Sequence, residues 1–202
     1  MAQPTVSSDA QHYVVAVEGL AALDFDEVPE RVKKFASRAI NTTARRYRTK
    51  SAKAMREQIA FPARYLTGAA DGRLRIPRFA SPEDLSATIR GRGRPTSLAT
   101  FVRGPKVHGR KAPTVEVAAG RREKMNRAFL MNLRNGNLGL AVRLAPGEKI
   151  ENKRRMVLMN NGLYLLYGPS VDQVFNTVAE DVSEDAADFL EQEFTRMSEA
   201  LL

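Results

Sequence analysis

Cysteine is absent from all 202 residues. That removes disulfides, thiolate metal sites and cysteine nucleophiles together, and makes a reducing cytosol the expected place of synthesis. There are two histidines, His12 and His108. Neither has a carboxylate or a second histidine at ligand spacing, and His108 stands among bases that disfavour a cation. Both are read as surface residues. No stretch approaches the ~20 uninterrupted apolar residues of a membrane span, and the N-terminus lacks a basic segment followed by an apolar one. The expectation is a protein with no membrane partner and no secretion signal. GxSxG, Walker and zinc spacings are missing too. Glu180, Asp181, Glu184 and Asp185 share a helix face at i, i+4 spacing and could hold a divalent cation, but a solvated acidic face is the commoner arrangement. The chain is therefore expected to be no enzyme, with no catalytic residue, metal site or cofactor.

Charge of one sign is also missing from whole stretches. Residues 1–30 carry six acids and neither Lys nor Arg, whereas residues 31–57 carry ten bases and the single acid Glu57. Residues 58–168 hold twenty-one bases and seven acids, and residues 169–202 hold nine acids and only Arg196. The net charge is +9, with a pI near 10.1. A basic middle between acidic ends offers one surface to polyanions and another to basic partners, a second copy included.

The apolar pattern predicts an α+β fold. It has a long basic N-terminal helix, a small antiparallel sheet of five to seven strands, and a long acidic C-terminal helix. Residues 1–28 are expected to be an acidic arm, a mobile tail over 1–10 followed by a short strand at Tyr13–Val17, and residues 29–202 a single domain. The long helix begins at Pro29, where proline suits the first turn. Apolar residues from Val32 to Ile59 recur at 3-and-4 spacing, and Phe61-Pro62 ends it. Strands are predicted at Arg73–Ile76, Leu85–Arg90, Leu98–Arg103 and Thr114–Ala118. Ala128–Leu133 and Leu138–Leu144 flank Asn135-Gly136-Asn137, a hairpin signal because Asn and Gly tolerate positive φ. Glu148–Arg155 is read as a charged loop, and Leu163–Tyr167 as a last strand. Ser170 with Gln173 is a capping box opening the final helix.

Two Gly-, Pro- and base-rich segments, 91–97 and 104–113, are expected to be mobile loops. Arg92-Gly93-Arg94-Pro95 spells the core of a minor-groove hook, though four such residues arise easily by chance. With Arg90, Lys106, Arg110 and Lys111, the loops form candidate basic fingers for phosphate contact without base readout. No aromatics interleave with these bases in sequence, which argues against a single-strand stacking platform. Arg45, Arg46, Arg48, Lys50 and Lys53 make the long helix a second face toward DNA or an acidic partner. Phe189, Leu190, Met197 and Leu201 end the apolar stripe of the last helix and are the candidate subunit interface.

Taken in order, Ala39-Ile40-Asn41-Thr42-Thr43-Ala44, Arg56–Ile59, Leu85–Ile89, Leu98–Phe101, Ala128-Phe129-Leu130 with Asn135-Gly136, Val142-Arg143, and Tyr167–Val171 leading to Phe175 resemble the minor tail protein Z family of tailed bacteriophages. The likeness is a diffuse pattern over about residues 30–200, and the first thirty residues fall outside it. It implies a structural virion protein that completes the head-proximal end of a tail and joins it to the head–tail connector. It further implies a ring of copies, six-fold by expectation, around the DNA channel. Expected partners are other neck, connector or tail-tube proteins and genomic DNA without sequence specificity. The expected location is the virion neck, after synthesis in the bacterial cytoplasm. The alternative is a stand-alone basic nucleic-acid-binding protein.

Overall fold

The computed structural model describes residues 3–9 and 12–18 by their backbone, and 29–68, 72–145, 148, 155–160 and 162–199 more fully. The fold is mixed α+β with curled antiparallel sheets. Helix α1 spans Glu30–Gln58 and buries Ala36, Ala39, Ile40, Thr43, Ala44, Tyr47, Ala52 and Met55, a single stripe at helical spacing. Pro29, with no N–H to leave unpaired, precedes its first residue. Ile59 turns to extended backbone at its end, its N–H bonded to the Met55 carbonyl at 2.8 Å. A short helix α2, Ala63–Thr67, follows Pro62.

Helix α3 spans Val171–Glu199. Its start shows the reciprocal cap expected from Ser170 and Gln173: the Ser170 N–H donates to Gln173 Oε1 at 3.1 Å, and the Gln173 N–H to Ser170 Oγ at 3.0 Å. The two long helices pack antiparallel. As α1 is followed backwards through Gln58, Lys50 and Arg46, their partners on α3 advance through Thr177, Asp185 and Phe189. The Tyr47 hydroxyl donates to the Ala179 carbonyl at 2.7 Å, and its ring meets Phe175 edge-on at 6.3 Å. Exposed ion pairs between the two helices contribute little, so the packing gains chiefly where the apolar stripes meet. Burial of Ile40, Met55, Phe175 and Leu190 supplies roughly 1.5–3 kcal/mol each.

Eleven strands are described, more than the five to seven expected. One sheet has the order β1(Gln3–Asp9)-β2(His12–Glu18)-β4(Ser86–Gly91)-β3(Leu74–Arg78). A second has β10(Met156–Asn160)-β11(Leu163–Gly168)-β9(Leu138–Arg143)-β8(Ala128–Asn132), with β5(Thr96–Ser97) on β11. The pair β6(Thr114–Val115) and β7(Glu123–Lys124) completes the set. Helices α1 and α3 both pack against the first sheet.

Several expectations are corrected. The segment expected to be a mobile tail holds strand β1, because β2 offers it a full antiparallel partner from Gln3↔Glu18 to Asp9↔His12. Residues 98–101 form a tight 3-10 turn, capped by Ser97 Oγ on the Ala99 N–H, which tucks Phe101 into the core. The predicted Thr114–Ala118 strand shortens to two residues. Strands β7 and β10 were not predicted. Most of the expected loop at 148–155 lies outside the described residues.

Candidate nucleic-acid interface

Strands β3 and β4 pair so that Arg75 and Arg90 stand directly opposite each other, both exposed. Like charges in that relation are unfavourable, so the pairing costs stability wherever no anion is present. The ladder continues past the strand ends: the Arg92 N–H donates to the Arg73 carbonyl at 2.9 Å, and the Arg92 carbonyl accepts from the Asp172 N–H at 3.3 Å. Gly91 makes this approach feasible. A Cβ there would lie 2.7 Å from the Asp172 Cα, so the end of β4 meets the start of α3 without room for a side chain.

Three adjoining clefts result. One of about 490 Å³ is lined by Arg90, Arg92, Arg94 and Asp172, and one of about 580 Å³ by Arg73, Arg75, Arg90 and Arg92. The third, about 620 Å³, reaches Arg73, Arg92, Arg94, Lys106 and Tyr65. Six cations thus line these walls against one lining carboxylate, Asp172. The guanidinium carbons of Arg73 and Arg92 lie 5.6 and 5.9 Å from the Tyr65 ring centre. Phe61 stacks on the same ring at 5.9 Å, and the Tyr65 hydroxyl is 3.3 Å from Thr96 Oγ1. Tyr65 therefore stiffens the arginine wall and is not an open platform for a base. Such a wall suits phosphates, which guanidinium groups hold through charge and paired N–H donors.

Arg90, Arg92, Arg94 and Lys106 are the predicted site residues brought together here. Arg73, Arg75 and Tyr65 were missed as site residues. The alternation Arg73-Leu74-Arg75-Ile76 was the signal for the first two, and Tyr65 carried none because its contacts are long-range. The hook reading does not survive. Arg92 is tied at both backbone groups, and its Nη2 turns back to the Pro95 carbonyl at 3.3 Å, so the extended Arg-Gly-Arg that enters a minor groove is not presented. Segment 91–97 is anchored as well by β5, whose Thr96 is buried against β11.

The second predicted loop is also folded onto the sheet. Gly109 and Ala112 donate to the Leu130 and Ala128 carbonyls at 2.7 and 2.9 Å, and the Leu130 N–H donates to the Arg110 carbonyl. Lys111 bridges to Phe129 through the backbone, and its side chain is exposed. Arg110 Nη1 donates to the Arg103 and Pro105 carbonyls, which turns that cation into an internal brace. Lys106 Nζ donates to the Thr100 carbonyl at 2.7 Å. Much of its side chain is accessible, yet burial of the ammonium end, reinforced by Arg103, pulls its pKa below the ordinary lysine range. The His108 Nδ1 accepts from the Asn132 N–H at 3.1 Å, a structural role. Below this loop, Glu116 accepts from Arg122 Nε at 2.9 Å, Arg103 Nε at 3.0 Å and the Gly120 N–H at 3.1 Å. Arg122 first, then Arg103 and Gly120, lower its carboxyl to about 2.

The α1 cations form a separate group, and none of them lines the arginine clefts. Arg45 sits 4.8 Å over the Phe79 ring, and Arg46 sits 4.2 Å over Phe189. Lys50 pairs with Asp185. Arg48 is half-buried, its Nε without a hydrogen-bond partner, and Lys53 is exposed. Two of these five cations, Arg46 and Lys50, are thus engaged by the chain's own α3. Of the proposed interface residues, only Leu190 is overturned, because its side chain has no surface left for a neighbour. Leu190 is fully buried in the core, Met197 packs against that core and Phe189 is covered by Arg46, while Leu201 lies outside the described residues.

Among the described residues no cluster of three or more His, Asp or Glu is placed to hold a metal ion, and no helix is long and apolar enough to cross a membrane. Compared with protein-family models, curated proteins and solved structures, the chain matches none.

Proposed function

We propose that the chain is a structural virion protein that completes the head-proximal end of a phage tail, as one copy of an oligomeric ring around the DNA channel. The reading joins the resemblance above to one observation: charge on this fold is separated along α3. Asp172, at its start, faces the arginine wall, while Asp188 lies sixteen residues further on, about 24 Å at about 1.5 Å per residue. Glu180, Asp181, Asp188 and Glu191 are exposed along that stretch, and none forms a salt bridge among the described residues. In this reading the acidic helix holds the basic one in cis and keeps a second acidic face for a neighbour. The arginine wall takes the phosphates of passing DNA without reading bases. A molecule with two unlike faces makes heterologous contacts, which close into a ring when the rotation permits.

A second reading, a stand-alone nucleic-acid binder, is favoured by the Arg75–Arg90 wall alone. Light scattering and DNA titration across salt separate them. A ring component keeps its oligomeric mass at 0.5 M salt while DNA binding collapses through counterion release. A monomer at all concentrations that binds DNA tightly overturns the ring reading.

A further inference from the structure

The sheet edges of this fold are protected unequally. β3 carries Pro77 and the exposed Arg75 and Arg78, with a register shift between them. The outer side of β8 is taken by Gly109, Arg110 and Ala112. β10 has neither device. It pairs with β11 on one side, and among the described residues no backbone group bonds to its other side. Its Val157, Leu158 and Met159 are 52%, 58% and 46% exposed, three consecutive apolar side chains presented on both faces of one strand. An open, uncharged, apolar edge invites another strand, and folds that have no use for one usually place a charge or a proline there.

We infer that β10 is the donor half of a contact between copies of this chain, adding edge-to-edge to strand β1 of a second copy. Charge complementarity selects this occupant. β10 is preceded in sequence by Lys153, Arg154 and Arg155, whereas β1 and its hairpin partner β2 carry Asp9 and Glu18 and neither Lys nor Arg. β1 is the outermost strand of its own sheet, and it packs against α3, the carrier of the uncompensated carboxylates. Pro4 removes an N–H from the start of β1 only, leaving Thr5–Asp9 to face the five residues of β10. Backbone ladders supply the affinity in such strand addition, and alternate side chains supply specificity. The two edges differ, so each copy uses both and the contact propagates head to tail. The inference rests on the ring reading and names its interface.

The absence of cysteine makes the test clean. Leu158→Cys protein is mixed with Thr5→Cys, Val6→Cys or Ser7→Cys protein and oxidised with diamide, beside light scattering of the wild type. The expected result is a disulfide-linked pair in at least one mixture and no linked species from Leu158→Cys alone. Leu158→Lys, at a site too exposed to disturb folding, should raise the concentration for half-assembly at least tenfold with unchanged circular dichroism. Linked dimers of Leu158→Cys alone, a wild-type oligomer with no cross-link in any mixture, or a Leu158→Lys protein that assembles normally overturns this interface and leaves the ring reading standing. A wild type that stays monomeric at high concentration overturns both.

Discussion

Arg75 and Arg90 face each other across an antiparallel pair, where most sheets place opposite charges or apolar partners. Arg90→Glu turns this repulsion into attraction. It should hold or raise stability by about 0.2–1 kcal/mol while it weakens DNA binding. Each lost phosphate contact should flatten the slope of log K against log salt by roughly 0.9. Thermal melting and fluorescence titration over a salt series check both. A variant that loses stability and keeps its affinity would place the phosphate surface elsewhere.

The helix pair gives a second expectation. Tyr47→Phe removes the hydrogen bond to the Ala179 carbonyl and should cost about 0.5–1.5 kcal/mol. Ile40→Ala, at a fully buried site, should cost about 2–5 kcal/mol. Urea unfolding measures both. Equal losses would mean that the stripe between α1 and the sheet is looser than its burial implies.

Much of this frame was legible in the sequence, because its signals are local. Pro29 and Ser170 mark helix starts through backbone geometry that no distant residue must supply. The β8–β9 hairpin was legible for the same reason, since Gly136 takes a φ of +77° between the two strands. What was missed depends on contacts far apart in sequence. Met156–Asn160 alternates too little to read as a half-buried strand, and β11 fixes it in place. The loop cations looked free because the carbonyls that claim Lys106 and Arg110 carry no sequence signature. The α1 bases were read as facing DNA or an acidic partner, and for Lys50 and Arg46 the partner is the chain's own α3, through Asp185 and Phe189.

The Glu116 clamp sets a pH dependence. Its folded carboxyl titrates at about 2, below the value near 4.3 of a free glutamate. Its contribution to stability is therefore complete above about pH 4.3 and disappears as pH falls through about 2. Glu148, lowered to about 2 chiefly by Arg127, follows the same course. Glu116→Gln should melt lower at pH 7 and show a shallower fall between pH 4.5 and 2.5 than the wild type. Parallel melting curves in that window would remove Glu116 from the account.

Trypsin should cut the free protein first after Lys106, whose own N–H and carbonyl make no backbone hydrogen bond among the described residues. Arg92 should resist, its own N–H and carbonyl both being bonded. Mass spectrometry of the earliest fragments decides between the two sites. A first cut after Arg92 would show that β4 is not pinned to α3 as described, and one within α1 that this helix is not the rigid element its burial implies.

The central claim, the proposed tail-end structural role, is tested most directly by genetics, since the account predicts that the gene for this chain lies in a tailed phage or prophage. An amber codon early in the gene, grown in a non-suppressing host, should yield DNA-filled heads and separate tails by electron microscopy. Wild-type protein supplied in trans should restore joined particles that contain it. Joined, infectious particles lacking the protein would contradict the account.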